Sequence, residues 1–171
     1  MHHNGDGLHG AELWVTDGTV AGTTMVADIN PRIYGSSSPR NITDLGNGKA
    51  IFSADGGGSI SRELWVTDGT AAGTSLVKDI YTGFYKPSNI GPATLLGTSG
   101  QAVFAAIGSS VGTQLWVTDG TTPGTSLLKG FSSGYRSGGF AFLSGTASGN
   151  MQGIGNKVTW LRFQSQNGPA P

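Results

Sequence analysis

The chain has 171 residues, room for one buried core, with Lys+Arg and Asp+Glu balanced at 10 each and only 12% charged residues. That balance removes the overall electrostatic basis for a nucleic-acid or anionic-membrane partner, and the absence of Cys excludes disulfides, thiolate metal sites and a Cys nucleophile. The 30 glycines suit short strands joined by tight turns better than helices, and no apolar run reaches the ~18 residues that would read as a membrane span.

In chain order, the first segment, Met1-His2-His3-Asn4-Gly5-Asp6, lacks the basic-then-apolar layout of a signal peptide, so the chain taken alone is expected to be soluble and unexported. Strands are predicted at Glu12–Thr16 and Thr24–Ile29. The next four fall at Ile42–Gly46, Ala50–Asp55, Glu63–Thr67 and Ser75–Ile80. Gly46-Asn47-Gly48 reads as a tight hairpin, Gly56-Gly57-Gly58 as the start of a longer loop, and Asp68-Gly69-Thr70 as a turn. Four more strands are placed near 93–97, 102–107, 114–118 and 126–131, and two last ones at Gly139–Ser144 and Lys157–Phe163.

This order is a repeat. Glu12-Leu13-Trp14-Val15-Thr16-Asp17-Gly18-Thr19 returns unchanged at Glu63–Thr70 and, with one change, at Gln114–Thr121, a spacing of 51 residues both times. Each copy is followed two residues later by Gly-Thr. Leu64 and Val66 fall on one face of their strand and Trp65 and Thr67 on the other, so the sheet is expected to want a neighbour on both faces. Four antiparallel strands and a linker every ~50 residues is the layout of a propeller blade, and it fits better than a β-solenoid. The expected fold is therefore all-β: tandem four-stranded antiparallel blades, β-propeller-like, as a partial propeller or an oligomer-completed ring.

The expected domain organisation is a single repeat domain over 1–171, with a half blade at 1–30, full blades at 41–80 and 91–131, a half blade at 139–163 and a tail at 164–171. Joining the two halves makes three blades, below the roughly four to eight of known propellers. Three readings stay open: a fragment of a longer array, a homo-oligomer such as two chains completing a six-blade ring, or an open array.

The residues that carry the repeat, Glu-Leu-Trp-Val-Thr-Asp-Gly-Thr, then Ala-Gly-Thr, then Val26-Ala27-Asp28-Ile29-Asn30-Pro31 or Val77-Lys78-Asp79-Ile80, resemble the bacterial ELWxxDGT repeat family over about residues 5–131. The resemblance implies a β-propeller-like repeat in a secreted or surface-associated bacterial protein, and no catalytic residues to carry over. It implies an extracellular or cell-surface location if the chain belongs to a longer exported protein. The few copies, the lack of a visible export signal and the loss of the motif over 145–171 depart from the family pattern.

Repetition also decides between roles. Asp17, Asp68 and Asp119 offer one carboxylate each to a hard cation such as Ca²⁺, too few for a site. They are expected to accept hydrogen bonds from turn amides while Gly18, Gly69 and Gly120 supply positive φ. Trp14, Trp65 and Trp116 offer ring faces to a sugar, but matched mid-strand positions point to packing between blades. His2, His3 and His9 lack a second ligand cluster, and the Gly-rich stretches precede no helix that could cradle phosphate. No cofactor or metal is expected.

Glu12, Glu63 and Asp55 could pair for glycoside hydrolysis, yet Glu12 and Glu63 are one repeated position, replaced by Gln114 in the third copy, which argues for scaffold and against an enzyme. Function is expected instead on the linkers, Pro31–Ser36, Tyr81–Lys86 and Ser132–Ser137, lying on the same face as the loops between the second and third strands. Each brings an aromatic residue near a cation, so Tyr34, Tyr85 and Tyr135 with Arg32, Lys86 and Arg136 form the candidate ligand-binding set, for a glycan or protein partner. The expected function is a non-catalytic binding or adhesion module, the alternative a structural or self-assembling scaffold.

Overall fold

The computed structural model describes residues 9–82, 86–108 and 113–130, together with the backbone of 152–154 and 157–159. Twelve strands form four sheets, all antiparallel, and no helix occurs among the described residues. β1 (Leu13–Val15) pairs with β2 (Thr24–Ala27). The next sheet runs β3 (Arg40–Asp44), β4 (Ala50–Gly57), β5 (Ile60–Thr67) and β6 (Ser75–Lys78), each strand beside its sequence neighbour. A second four-stranded meander follows with β7 (Thr94–Leu95), β8 (Ala102–Ile107), β9 (Thr113–Thr118) and β10 (Ser126–Gly130). β11 (Gln152–Ile154) and β12 (Lys157–Thr159) close the series as a two-stranded pair.

The central strands are longer than their residue pattern suggests. β4 and β5 pair from Ala50↔Thr67 out to Gly57↔Ile60, so the stretch read as a longer loop is a two-residue hairpin over Gly58 and Ser59. Gly57 and Gly58 adopt φ of 72° and 62°, left-handed values that let the chain reverse this tightly. β3 begins two residues earlier than expected and carries a bulge between Arg40 and Thr43, where Asn41 also has positive φ. β12 starts at the expected Lys157, but its partner is β11, a strand that the residue pattern does not place. The strand expected at 139–144 lies outside the described residues.

One irregularity recurs. Wherever a Leu-Trp-Val strand meets the strand that follows it, one extra residue is inserted opposite the Leu-Trp step: Val26 in β2, Val77 in β6 and Leu128 in β10. A bulge of this kind re-aims a side chain out of the plain alternation. Val26 and Val77 are buried by it in the two hydrophobic clusters that join successive sheets.

Those clusters explain why the strands are apolar on both faces. Leu64, Val66, Val77 and Ile51 of the β3–β6 sheet pack with Phe104, Ala102, Ala106 and Trp116 of the β7–β10 sheet. On its opposite face, Phe52, Ala54 and Trp65 pack with Leu13, Val26 and Ile29. The rule is one-way: the Trp face of each four-stranded sheet lies on the Leu/Val face of the sheet before it. Trp14 breaks the expectation of burial between sheets, being 44% exposed, because among the described residues no preceding sheet lies beneath it.

Candidate functional site

The repeated turn bonds its Asp and Thr side chains locally. Asp17 Oδ1 accepts from the Thr19 amide at 2.9 Å and the Thr19 hydroxyl at 2.7 Å, and the Thr19 hydroxyl accepts from the Gly22 amide at 2.9 Å. Thr16 and Thr23 share a 2.8 Å hydroxyl contact, while Gly18 N donates to Thr16 Oγ1. The same bonds recur around Asp68 and around Asp119. Gly18, Gly69 and Gly120 have φ of 88°, 88° and 83°, and a Cβ on Gly22, Gly73 or Gly124 would overlap the Asp carboxylate. The hydroxyl donors hold Asp17, Asp68 and Asp119 below the usual carboxylate range. These carboxylates therefore hold turns, as the sequence suggests.

The first residue of the motif reaches further. Glu12 is buried, and its carboxylate accepts from Ile29 N at 3.1 Å, Ser37 N at 2.9 Å and Ser37 Oγ at 2.5 Å. Glu63 repeats this with Ile80 N at 2.9 Å, Ser88 N at 3.2 Å and the Ser88 hydroxyl. Each carboxylate ties together the two ends of a linker, 29–37 or 80–88. Burial pushes the Glu63 carboxyl above its usual range, against the hydrogen bonds from Ser88 and Ile80 that favour its charged form. Residue 139, the counterpart of Ser37 and Ser88 in the third unit, is Gly, and there the Glu is replaced by Gln114, whose Oε1 accepts from Trp116 Nε1 at 3.3 Å. This paired change is legible in the sequence once the +25 spacing is sought.

Pinned at its base, the first linker presents Arg32, Ile33 and Tyr34 at its tip. Gly35 N donates to Arg32 O at 2.6 Å and Gly10 N to Gly35 O at 2.6 Å, while Asn30 Nδ2 donates to Ser36 O at 3.2 Å. Ile33 is 79% exposed and Tyr34 74%, and Tyr34 has φ of 60°, uncommon for a residue with a bulky side chain. Asn30 and Arg32 lie against the β4–β5 hairpin, where a Cβ on Gly58 would stand 3.9 Å from Arg32 Nη2. Linker and hairpin thus share one end of the molecule, the arrangement expected from the sequence.

The second linker meets the first at Arg62. The Arg62 guanidinium donates to Ser38 O at 2.8 Å and Ser53 O at 3.3 Å, and Arg62 O accepts from Ser88 N at 3.0 Å. Lys86 is exposed, and its Nζ stands 5.1 Å from the centroid of the Tyr81 ring, cation–π geometry. Its described aromatic neighbour is thus Tyr81, a residue outside the candidate set. Tyr85, Tyr135 and Arg136 lie outside the described residues.

Of the six candidates, then, Arg32 and Tyr34 share one hydrogen-bonded linker tip and Lys86 belongs to the neighbouring linker. Glu12 and Glu63, first weighed for catalysis, are spent on linker amides, and Asp55 Oδ1 accepts from Gly57 N at 2.8 Å. No group of three or more His, Cys, Asp or Glu that could hold a metal ion occurs among the described residues. Among the described residues the two linkers offer a guanidinium at Arg32, an ammonium at Lys86 and the exposed ring of Tyr34. Such groups stack on sugar rings and pair with anionic or carbonyl groups. No family model, curated protein or solved structure matches the chain.

Proposed function

We propose that the chain is a non-catalytic binding module, a β-propeller-type array of the ELWxxDGT kind whose linker end contacts a glycan or a protein partner. The propeller reading is supported by successive meanders in which the Trp face of one sheet lies on the Leu/Val face of the one before. The binding reading rests above all on Tyr34: exposed, held at positive φ, and carried on a loop whose two ends close on one buried carboxylate. A large aromatic kept out of the core on a pre-ordered loop loses little entropy on binding, which is what a recognition residue needs.

Tyr34→Ala with Arg32→Ala, tested on a glycan array and against extracellular protein fractions, should weaken binding at least tenfold while the melting temperature stays near that of wild type. Unchanged binding, or no binding by wild type to either panel, leaves the linker end without a ligand and returns the chain to the scaffold reading.

A further inference from the structure

The strand ends of the molecule differ in charge. Where the β3–β4 hairpin and the turns after the Leu-Trp-Val strands lie, the chain places Asp17, Asp44, Asp68 and Asp119, and Lys49 is the one Lys or Arg there among the described residues. The opposite end holds the linkers and the β4–β5 hairpin. Its exposed charges include Arg32, Arg40 and Lys86, whereas its acids, Glu12, Asp28, Asp55, Glu63 and Asp79, are all buried or half-buried. Those acids are largely occupied. Glu12 and Glu63 hold the linker clamps, Asp28 pairs with His9 at 3.1 Å, and Asp55 Oδ1 accepts from Gly57 N. Of the 10 Asp and Glu residues only Asp6 lies outside the described ones, and among the described residues no carboxylate forms an ion pair with Arg32, Arg40, Arg62 or Lys86.

Arg62 is the fixed point of this end. Its Nη1 commits both hydrogens, to Ser38 O at 2.8 Å and Ser53 O at 3.3 Å, which sets the plane of the guanidinium. Nε and Nη2 have no partner among the described residues. Neither is fully buried, since the buried unpaired side-chain atoms belong to Asp28, Asn30 and Trp65, so this edge meets solvent. Two parallel N–H groups on a guanidinium edge match the two oxygens of a carboxylate. Arg40 brings a second guanidinium to the same place, being the cross-strand partner of Ser53, whose hydroxyl donates to Arg40 O at 3.3 Å. Burial and the charge of Arg40 push Arg62 below its ordinary range, and Asp55 offsets this only in part. An incoming anion relieves a like-charge pair held in this way.

We propose that the ligand of the linker end is an acidic polysaccharide, one of whose uronate carboxylates seats on the Nε–Nη2 edge of Arg62 beside Arg40. This rests on the glycan-binding reading of that end and adds the class of sugar. Arg32 lies against the hairpin that Ile60 closes, two residues before Arg62, and Lys86 lies two residues before Ser88, whose amide donates to Arg62 O at 3.0 Å. Both extend the positive field on either side of the seat, and Tyr34 supplies a ring for a sugar face. The aspartates of the turn end repel the same polymer, so one end engages it.

Calorimetric titration of the whole chain with polygalacturonate, with its methyl ester and with polyglutamate tests this. The ester keeps the sugars and removes the charge, and polyglutamate keeps the charge and removes the sugars. Polygalacturonate should bind, and each of the others should bind about tenfold more weakly or less. Arg62→Lys retains the charge but loses the paired N–H edge and should weaken polygalacturonate about tenfold. Arg40→Gln should weaken it about fivefold, and Lys49→Gln, at the turn end, should leave it unchanged. If Arg62→Lys lowers the melting temperature, Arg40→Gln, on an exposed side chain, carries the comparison with Lys49→Gln. An ester bound as tightly as the acid overturns the proposal and leaves the glycan-binding reading standing. Polyglutamate bound as tightly as polygalacturonate overturns it in favour of an acidic peptide, and an equal loss in Lys49→Gln overturns it in favour of net charge. Polygalacturonate that does not bind overturns it as well, and the Tyr34 and Arg32 variant on neutral glycans then decides the binding reading by itself.

Discussion

The junction between the β3–β6 and β7–β10 sheets and the open side of the β1–β2 sheet are built from the same words, Leu-Trp-Val-Thr-Asp-Gly-Thr, and reach opposite outcomes. Trp116 is sealed against Leu64, Val66 and Val77, while Trp14 lies almost half in solvent. The turn does not differ: after both tryptophans it holds the same hydrogen bonds to within 0.1 Å. Burial of the ring is therefore a property of position in the stack. The strand itself leaves it undecided.

The largest effect that would sharpen this contrast is in the tryptophans. Trp116→Ala should cost on the order of 3–5 kcal/mol, since it removes a buried ring from a closed cluster. Trp65→Ala, at a half-buried site, should cost less, and Trp14→Ala about 1 kcal/mol or less at dilutions where the chain is monomeric. Chemical denaturation of the three variants gives the order directly, and equal losses would mean that the outer sheet is packed as the inner one is.

The next effect separates the clamps from the turns. Ser88→Ala removes a donor from the buried Glu63 carboxylate and should cost about 1–3 kcal/mol. Proteolysis of the 80–88 linker should speed up in parallel. If denaturation and cleavage are both unmoved, the clamp does not hold the linker.

Acid titration should divide the two kinds of carboxylate by sign. Glu63 is raised from its ordinary 4.5 by burial, so its contribution is fully present below 4.5 and is lost as pH rises through the folded value. Wild-type stability relative to Glu63→Gln should accordingly decline as pH climbs from 4.5. Asp68 is lowered from 3.8 by the Thr70 hydroxyl, so its contribution is present above 3.8 and is lost as pH falls through the lower folded value. Relative to Asp68→Asn, wild type should therefore lose stability only on the acid side, and by the smallest margin of the series, because the group is solvent-exposed. Differences of the same sign for both variants would break the distinction.

Much of the architecture was readable beforehand because its causes are short-range. The Asp17 turn closes over residues 16–23, the β8 strand is where β-branched and aromatic residues place it, and a 51-residue period needs no tertiary knowledge. The candidate site was readable only in part. Arg32 and Tyr34 stand out as a cation beside an aromatic in a linker, but the rigidity that makes them a tip comes from Glu12, whose partners lie 17 and 25 residues away. Lys86 illustrates the limit: adjacency in sequence pairs it with Tyr85, which lies outside the described residues, and its ammonium over Tyr81, five residues away, is a contact that only the fold sets.

By itself the sequence determined most strands of the repeated units, their meander order and the Asp-Gly-Thr turns, because a hydrogen bond from residue i to i+2 or i+4 and a period of two depend on the chain alone. Only the tertiary structure decided which face of each strand is covered, that Val26 and Val77 are swung by a bulge into the neighbouring sheet, and that one carboxylate gathers both ends of a linker. An alternating strand offers two apolar faces without naming their neighbours. Leu128 and Val77 are the same letter of the repeat in this sense, and Val77, at 4% exposure against 51%, is buried by the β7–β10 sheet packed on it.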